Sequence, residues 1–225
     1  MSRGASLHPR EDADGTTRRT GDSSLRGHLR LAAVAAVPVS TAVLVAQHPA
    51  EPRDVRELAA STGTWTSVHV GLLFAVPLIG LVVWHLLRGV RNGPATVSRV
   101  LLLPAVALYA AFDALVGIGT GVLMGGVDHL HEHHHAGAWA LAQHWWDVPG
   151  PLVLIGVLAP LVWAVTIGAA ALAHLQARSP WPVALGLALT AVLFAWGHPG
   201  ATGVVAMAGL LVAVVVRAGT TGALR

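Results

Sequence analysis

The chain is predicted to be an all-α polytopic membrane bundle, with six transmembrane helices and both termini in the cytoplasm. Three observations predict this. Of its 225 residues 54% are hydrophobic and only 11% charged, the balance of a membrane protein. The apolar residues come in unbroken blocks such as Val70–Val83, without the recurring charged face that a water-soluble helix needs. Finally, the cationic residues, 14 Arg and no Lys, cluster on alternate connections between those blocks.

Residues 1–28 are rich in Ser, Gly, Asp and Arg and lack apolar periodicity, so they are expected to form a disordered cytoplasmic tail. Arg18 and Arg19 are not followed by the apolar run of a twin-arginine export signal, and no small-residue cleavage site closes the first block. The first helix is therefore expected to stay as an anchor. A bilayer core takes about 20 apolar residues per helix. Six blocks meet that need, at 29–48, 67–89, 98–124, 150–174, 181–197 and 201–217, and make up a transmembrane domain over 29–217. The last two blocks are joined only by "GHPG" and should form a tight antiparallel hairpin. Residues 218–225 make a short cytoplasmic tail, and 126–148 make an external loop.

Cytoplasmic flanks retain positive charge. An inside amino terminus puts Arg18, Arg19, Arg26, Arg30, Arg88, Arg91, Arg99, Arg178, Arg217 and Arg225 on the cytoplasmic side. It leaves only Arg53 and Arg56 outside, balanced by Glu51, Asp54 and Glu57. The arginines form no single basic stripe, which argues against nucleic acid as a partner; the lipid bilayer is the expected one.

Cysteine is absent, which removes disulfides, thiolate nucleophiles and Cys-type zinc or iron–sulfur sites. Metal ligation would fall to His, Asp and Glu. "DHLHEHHHAG", residues 128–137, carries five His and two acids. If 128–135 were helical, His131 and His135 would share one face and His129 and His133 another, each at chelating spacing. Asp128, Glu132, His144 and Asp147 could complete a shell. His48, His69 and His198 fall at the same outer depth and, with Asp113, are candidates for a deeper site for a divalent ion such as zinc or copper. Competing readings are a solvated histidine-rich linker, and His-Pro pairs at 48–49 and 198–199 that only stop helices.

The run His131-Glu132-His133-His134-His135 also satisfies H-E-x-x-H. In a segment half histidine the match is cheap, and it lies past the third block without a cleft or third ligand, so no catalytic residue is assigned. "AWALAQHWWD" is expected to lie as a short helix in the outer interface. Asp113 is the only acid within a block, where a carboxyl costs about 2.5–3.5 kcal/mol on insertion scales. It is read either as a carboxyl hydrogen-bonded to a neighbouring helix or as a ligand or proton relay. Gly117, Gly121 and Gly125 follow at helical spacing, a close-packing face that could also mediate homo-oligomerisation. Haem clamped between histidine pairs, from His85 with His174 or from His48, His69 and His198, is a second cofactor reading. Histidines titrating near about 6.5 on the outer surface would make a pH-sensing or interaction protein.

The stretch "AQHPAEPRDVRELAASTGTWTSVHVGLLFAVPLIGLVVWHLLRG", together with "DALVGIGTG", resembles uncharacterised multi-pass membrane proteins of high-GC Gram-positive bacteria. The resemblance implies a bacterial plasma-membrane location and carries no activity.

Overall fold

The computed structural model describes residues 15–50, 52–147, 150–197 and 200–220, whose regular secondary structure is all helix, without strands. The elements are α1 (Gly15–Ala46), α2 (Val55–Leu86), α3 (Gly93–Gly125), α4 (His135–Asp147), α5 (Pro151–Gln176), α6 (Trp181–Trp196) and α7 (Gly200–Thr220). Among the described residues five apolar stretches are long enough to cross a membrane: Leu25–Ala46, Val55–Leu86, Gly93–Gly125, Leu152–Gln176 and Gly200–Thr220. The apolar run of α6, Trp181–Ala195, is shorter.

Capping chemistry explains where helices outrun their predicted bounds. The acidic connection before the second block is mostly helix, because Asp54 caps α2 and accepts from Arg56 N at 2.8 Å and Glu57 N at 2.9 Å. Glu57 reaches back to Arg53 N at 2.9 Å, so donors on both sides of the helix start are satisfied. Asn92 caps α3 through Ala95 N at 3.0 Å, and Pro94 occupies the first turn, where a missing N–H costs nothing. Asn92 also donates to Ala173 O at 2.9 Å, tying the start of α3 to the end of α5. Arg99 donates to Leu87 O and Val90 O, both at 2.7 Å, and so braces the turn that follows α2. At the other extreme, α1 begins at Gly15, inside the predicted tail.

Consecutive long helices pack side by side and the last returns to the first, giving the closed order α1–α2–α3–α5–α6–α7–α1. The main core runs through all of them and includes Leu72, Ile79, Tyr109, Trp163, Ile167, Leu187, Phe194 and Leu210. The expected α6–α7 hairpin is present. Its helices touch backbone to backbone at Gly186 and Gly209, and Thr190 Oγ1 donates to Ala206 O at 3.0 Å across the contact. A β-carbon at Gly186 would overlap the Gly209 carbonyl.

A second, smaller core caps the end of the bundle that carries the histidine-rich segment. Val55, Leu58 and Trp65 of α2 meet Met124 of α3, Val127 just after it and Ala142 of α4. Trp146 fastens α4 down by donating from Nε1 to Thr120 Oγ1 at 2.9 Å. At about 1.5 Å per residue the 32 residues of α2 span about 48 Å, well over a hydrocarbon core of about 30 Å. The surplus supplies the wall on which α4 rests.

Candidate functional site

The site lies beneath that cap, where α2 faces the distal half of α3. Residues Asp113–Ile118 of α3 form a π-helical segment, a wider turn that disrupts the regular carbonyl pattern and is frequent at functional sites. Trp65 Nε1 donates to Gly117 O within it at 2.8 Å. The buried His69 lies over Gly117 so closely that a β-carbon there would overlap its ring. One turn further, a β-carbon at Gly121 would overlap the Thr66 hydroxyl, and one at Gly125 would rest against Thr62 at 3.4 Å. The small-residue face is thus filled by α2 of the same chain. This corrects the expectation of homo-oligomerisation through Gly117, Gly121 and Gly125, because that face is no longer open to a second copy.

His48, two residues beyond α1, completes an aromatic group with Trp65 and His69. Its ring centroid lies 4.9 Å from that of Trp65 and 5.0 Å from that of His69, edge-on to the latter at 70°. The Nδ1–H of His48 donates to Pro49 O at 2.7 Å, and that of His69 donates to Trp65 O at 2.8 Å. A carbonyl can only accept, so both neutral rings carry their proton on Nδ1 and their basic lone pair on Nε2. Burial pushes the His48 pKa below its ordinary value, partly opposed by the bond to Pro49 O. His48 is therefore neutral at physiological pH, the state that can ligate a metal or accept a hydrogen bond.

A cavity of about 840 Å³ opens from this pair into the bundle. His48, Trp65 and His69 line one end, Tyr109 and Phe112 of α3 a side wall, and α5, Ala195 and Gly197 the rest. Tyr109 OH donates to Phe194 O at 2.9 Å, locking α3 to α6. A second pocket of about 380 Å³ shares Trp65, Phe112, Val116, Gly156 and Val157 with the first and extends to Trp145 and Trp146 of α4.

Asp113 begins the π-helical segment and is fully buried, and neither carboxylate oxygen has a hydrogen-bond partner among the described residues. The neighbouring-helix bond expected for it is absent from those residues.

The histidine-rich segment does not form the continuous helix that chelating spacing would require. Val127–His129 and Glu132–His134 are single 3₁₀ turns, separated by extended backbone at Leu130 and His131 (ψ 147° at both). That break removes the continuous helix on which His129 and His133, or His131 and His135, would share a face. His129, His131 and His133 are exposed, with His131 and His133 stacked at 5.7 Å, and Glu132 is paired with Arg56. His135 starts α4, the interfacial helix expected from "AWALAQHWWD", and His144 is exposed on it. The side chains of Asp128 and Asp147, and all of His198, lie outside the described residues.

Among the described residues no group of three or more His, Asp or Glu converges closely enough to hold a metal. The predicted outer and deep sets therefore do not merge; what comes together is His48 with His69. Their rings are in direct contact, which leaves no space for a porphyrin between them. Of the inner pair, His85 is exposed, whereas His174 is buried with its Nδ1 3.0 Å from Ser179 Oγ. Sequence reasoning missed Trp65, Tyr109 and the cavity. The one available signal was Trp65 lying four residues before His69, on the same helix face.

No family model matches the chain, and no curated protein or solved structure matches it either.

Proposed function

We propose that this six-span protein of the bacterial plasma membrane, with both termini cytoplasmic, holds a divalent transition metal such as zinc or copper at His48 and His69. The apolar helices fit an integral membrane protein, and the arginine asymmetry supports the orientation. The short α6 rises about 24 Å, a mismatch that local bilayer thinning accommodates.

The observation that carries the metal reading is the pair of imidazoles in contact, each with Nδ1–H anchored on a backbone carbonyl. Such an anchor fixes the tautomer and raises the basicity of Nε2, as it does behind metal-ligating histidines. Two imidazoles leave coordination positions for further donors. Gly197 lines the same cavity, and His198 is the next residue in sequence. The exposed histidines at 129–135 would collect metal weakly at the surface, as runs of histidine do.

Elemental analysis of detergent-purified, metal-loaded protein tests this. The expected result is a stoichiometric ion that survives replacement of the 129–135 histidines and is lost in His48→Ala and His69→Ala. No ion in the parent protein, or retention in both variants, refutes it.

A further inference from the structure

The end of the bundle opposite the histidine-rich segment gathers arginines from several helices. Leu44 of α1 lies against Gly71 of α2, and His48 meets His69, so the two helices run antiparallel in a fixed register. Fourteen residues further along each helix, about 21 Å away, that register sets Arg30 opposite His85. The charges of Arg30 and Arg88 are both felt at His85, in keeping with that placement. Arg26 lies one turn before Arg30 on the same face of α1. Arg30, His85 and Arg88 are exposed, and among the described residues neither the Arg30 nor the Arg88 side chain has a hydrogen bond or an ion pair.

The turn that carries Arg88 is held from two sides. Arg99 of α3 donates to Leu87 O and Val90 O at 2.7 Å, and Arg217 of α7 donates to Arg88 O at 3.4 Å. The backbone under Arg88 is thus braced, and the planar guanidinium groups of Arg30 and Arg88 present paired N–H donors of the kind that match a phosphate. Their depth selects the source of that phosphate. Arg30 lies five residues, about 7.5 Å, inside the apolar stretch of α1 that starts at Leu25, and His85 is in the last turn of the α2 stretch that ends at Leu86. The exposed Trp84 marks the same level, as tryptophans do where hydrocarbon meets headgroups. From there an exposed apolar stripe of Leu81, Leu78 and Phe74 runs along α2 at helical spacing into the hydrocarbon zone. Cations at the foot of such a stripe fit an anionic head and an acyl chain in one molecule.

We propose that Arg30, His85 and Arg88 form a headgroup site for an anionic phospholipid, whose phosphate they hold and whose chains lie along Leu81, Leu78 and Phe74. The site is at the other end of the bundle from His48 and His69 and needs no metal, so failure of the metal reading has no bearing on it.

The test titrates the full-length protein in detergent with phosphatidylglycerol, or with phosphatidylcholine of the same chains, and counts bound lipid by native mass spectrometry. The parent protein should prefer phosphatidylglycerol. An arginine near the headgroups contributes about fivefold, so Arg30→Gln and Arg88→Gln should each lower that preference by about fivefold, and the double variant by about 25-fold. Arg53→Gln, which removes an exposed charge from the opposite end, should leave it unchanged. Soluble glycerol phosphate, which has the head without the chains, should not displace the lipid at equal concentration. Equal binding of the two lipids by the parent protein, an undiminished preference in the double variant, or an equal loss in Arg53→Gln would overturn the site. Displacement by glycerol phosphate at equal concentration would overturn its assignment to a lipid.

Discussion

Gly117→Ala is the sharpest perturbation of the site, because the added methyl would coincide with the Cβ, Cγ and Cδ2 atoms of His69. The ring has little freedom to yield: Nδ1 is bonded to Trp65 O, and His48 and Trp65 lie against it at centroid distances of 5.0 Å. Forcing a methyl into such a contact costs about 1–3 kcal/mol. If α3 moves away instead, the Trp65–Gly117 bond is lost, and an orphaned buried partner costs about 1–3 kcal/mol. The gain in helix propensity from Gly to Ala returns only about 0.8–1 kcal/mol. The net expectation is a loss of up to about 2 kcal/mol. Gly63→Ala is the matched control on α2, where nothing lies within 4 Å of the added carbon, and it should be neutral or stabilising by up to about 1 kcal/mol. Equilibrium unfolding in mixed micelles, followed by circular dichroism, measures both. Adding His69→Ala to Gly117→Ala should recover part of the loss, with a coupling of about 0.5–3 kcal/mol. A Gly117→Ala protein more stable than its parent by the full propensity gain of about 1 kcal/mol, or a double variant whose losses simply add, would refute the close-packing argument.

Three other outcomes follow from the same structure. Gly186→Ala should cost more than Gly117→Ala, because the methyl would meet the Gly209 carbonyl rather than a side chain, and the same unfolding assay ranks the two. Asp113→Asn should leave stability unchanged or slightly higher, since the amide keeps the shape of a carboxyl that has no hydrogen-bond partner among the described residues and removes the possibility of a buried charge; a large loss would reveal a role for the carboxylate. The lowered pKa of His48 means that the unfolded chain binds its proton more readily than the folded one. Its contribution is therefore present above about 6.5 and lost as pH falls from there through the lowered folded value. His48→Ala should flatten that acid limb of a stability-versus-pH curve, and an unchanged limb would assign the acid sensitivity to other groups.

How much of this was legible beforehand depended on the range of the interaction. Asp54 and Glu57 carried the signal that α2 starts ahead of its apolar block, since a cap and its partner lie within one turn. The glycines at 117, 121 and 125 announced a close helix contact, but not whether the partner was α2 or another copy. Both a neighbouring helix and a second chain satisfy the same spacing. The histidine-rich stretch was the most conspicuous motif and the least organised, because chelating spacing presumes a helix that breaks at Leu130 and His131.

The amino-acid sequence by itself determined that the chain is helical and suited to lipid, where its apolar blocks begin and end to within a few turns, and that α6 and α7 form a hairpin. These follow from composition, periodicity and short connections, which act over one helix or two adjacent ones. Only the tertiary structure decided that α7 returns to α1 and closes the bundle, that Gly117 yields its space to His69, and that His48 meets His69 at a cavity lined by α3, α5 and α6. Those features depend on the rotation of each helix about its axis. That rotation is set by packing among residues dozens of positions apart, which no local pattern encodes.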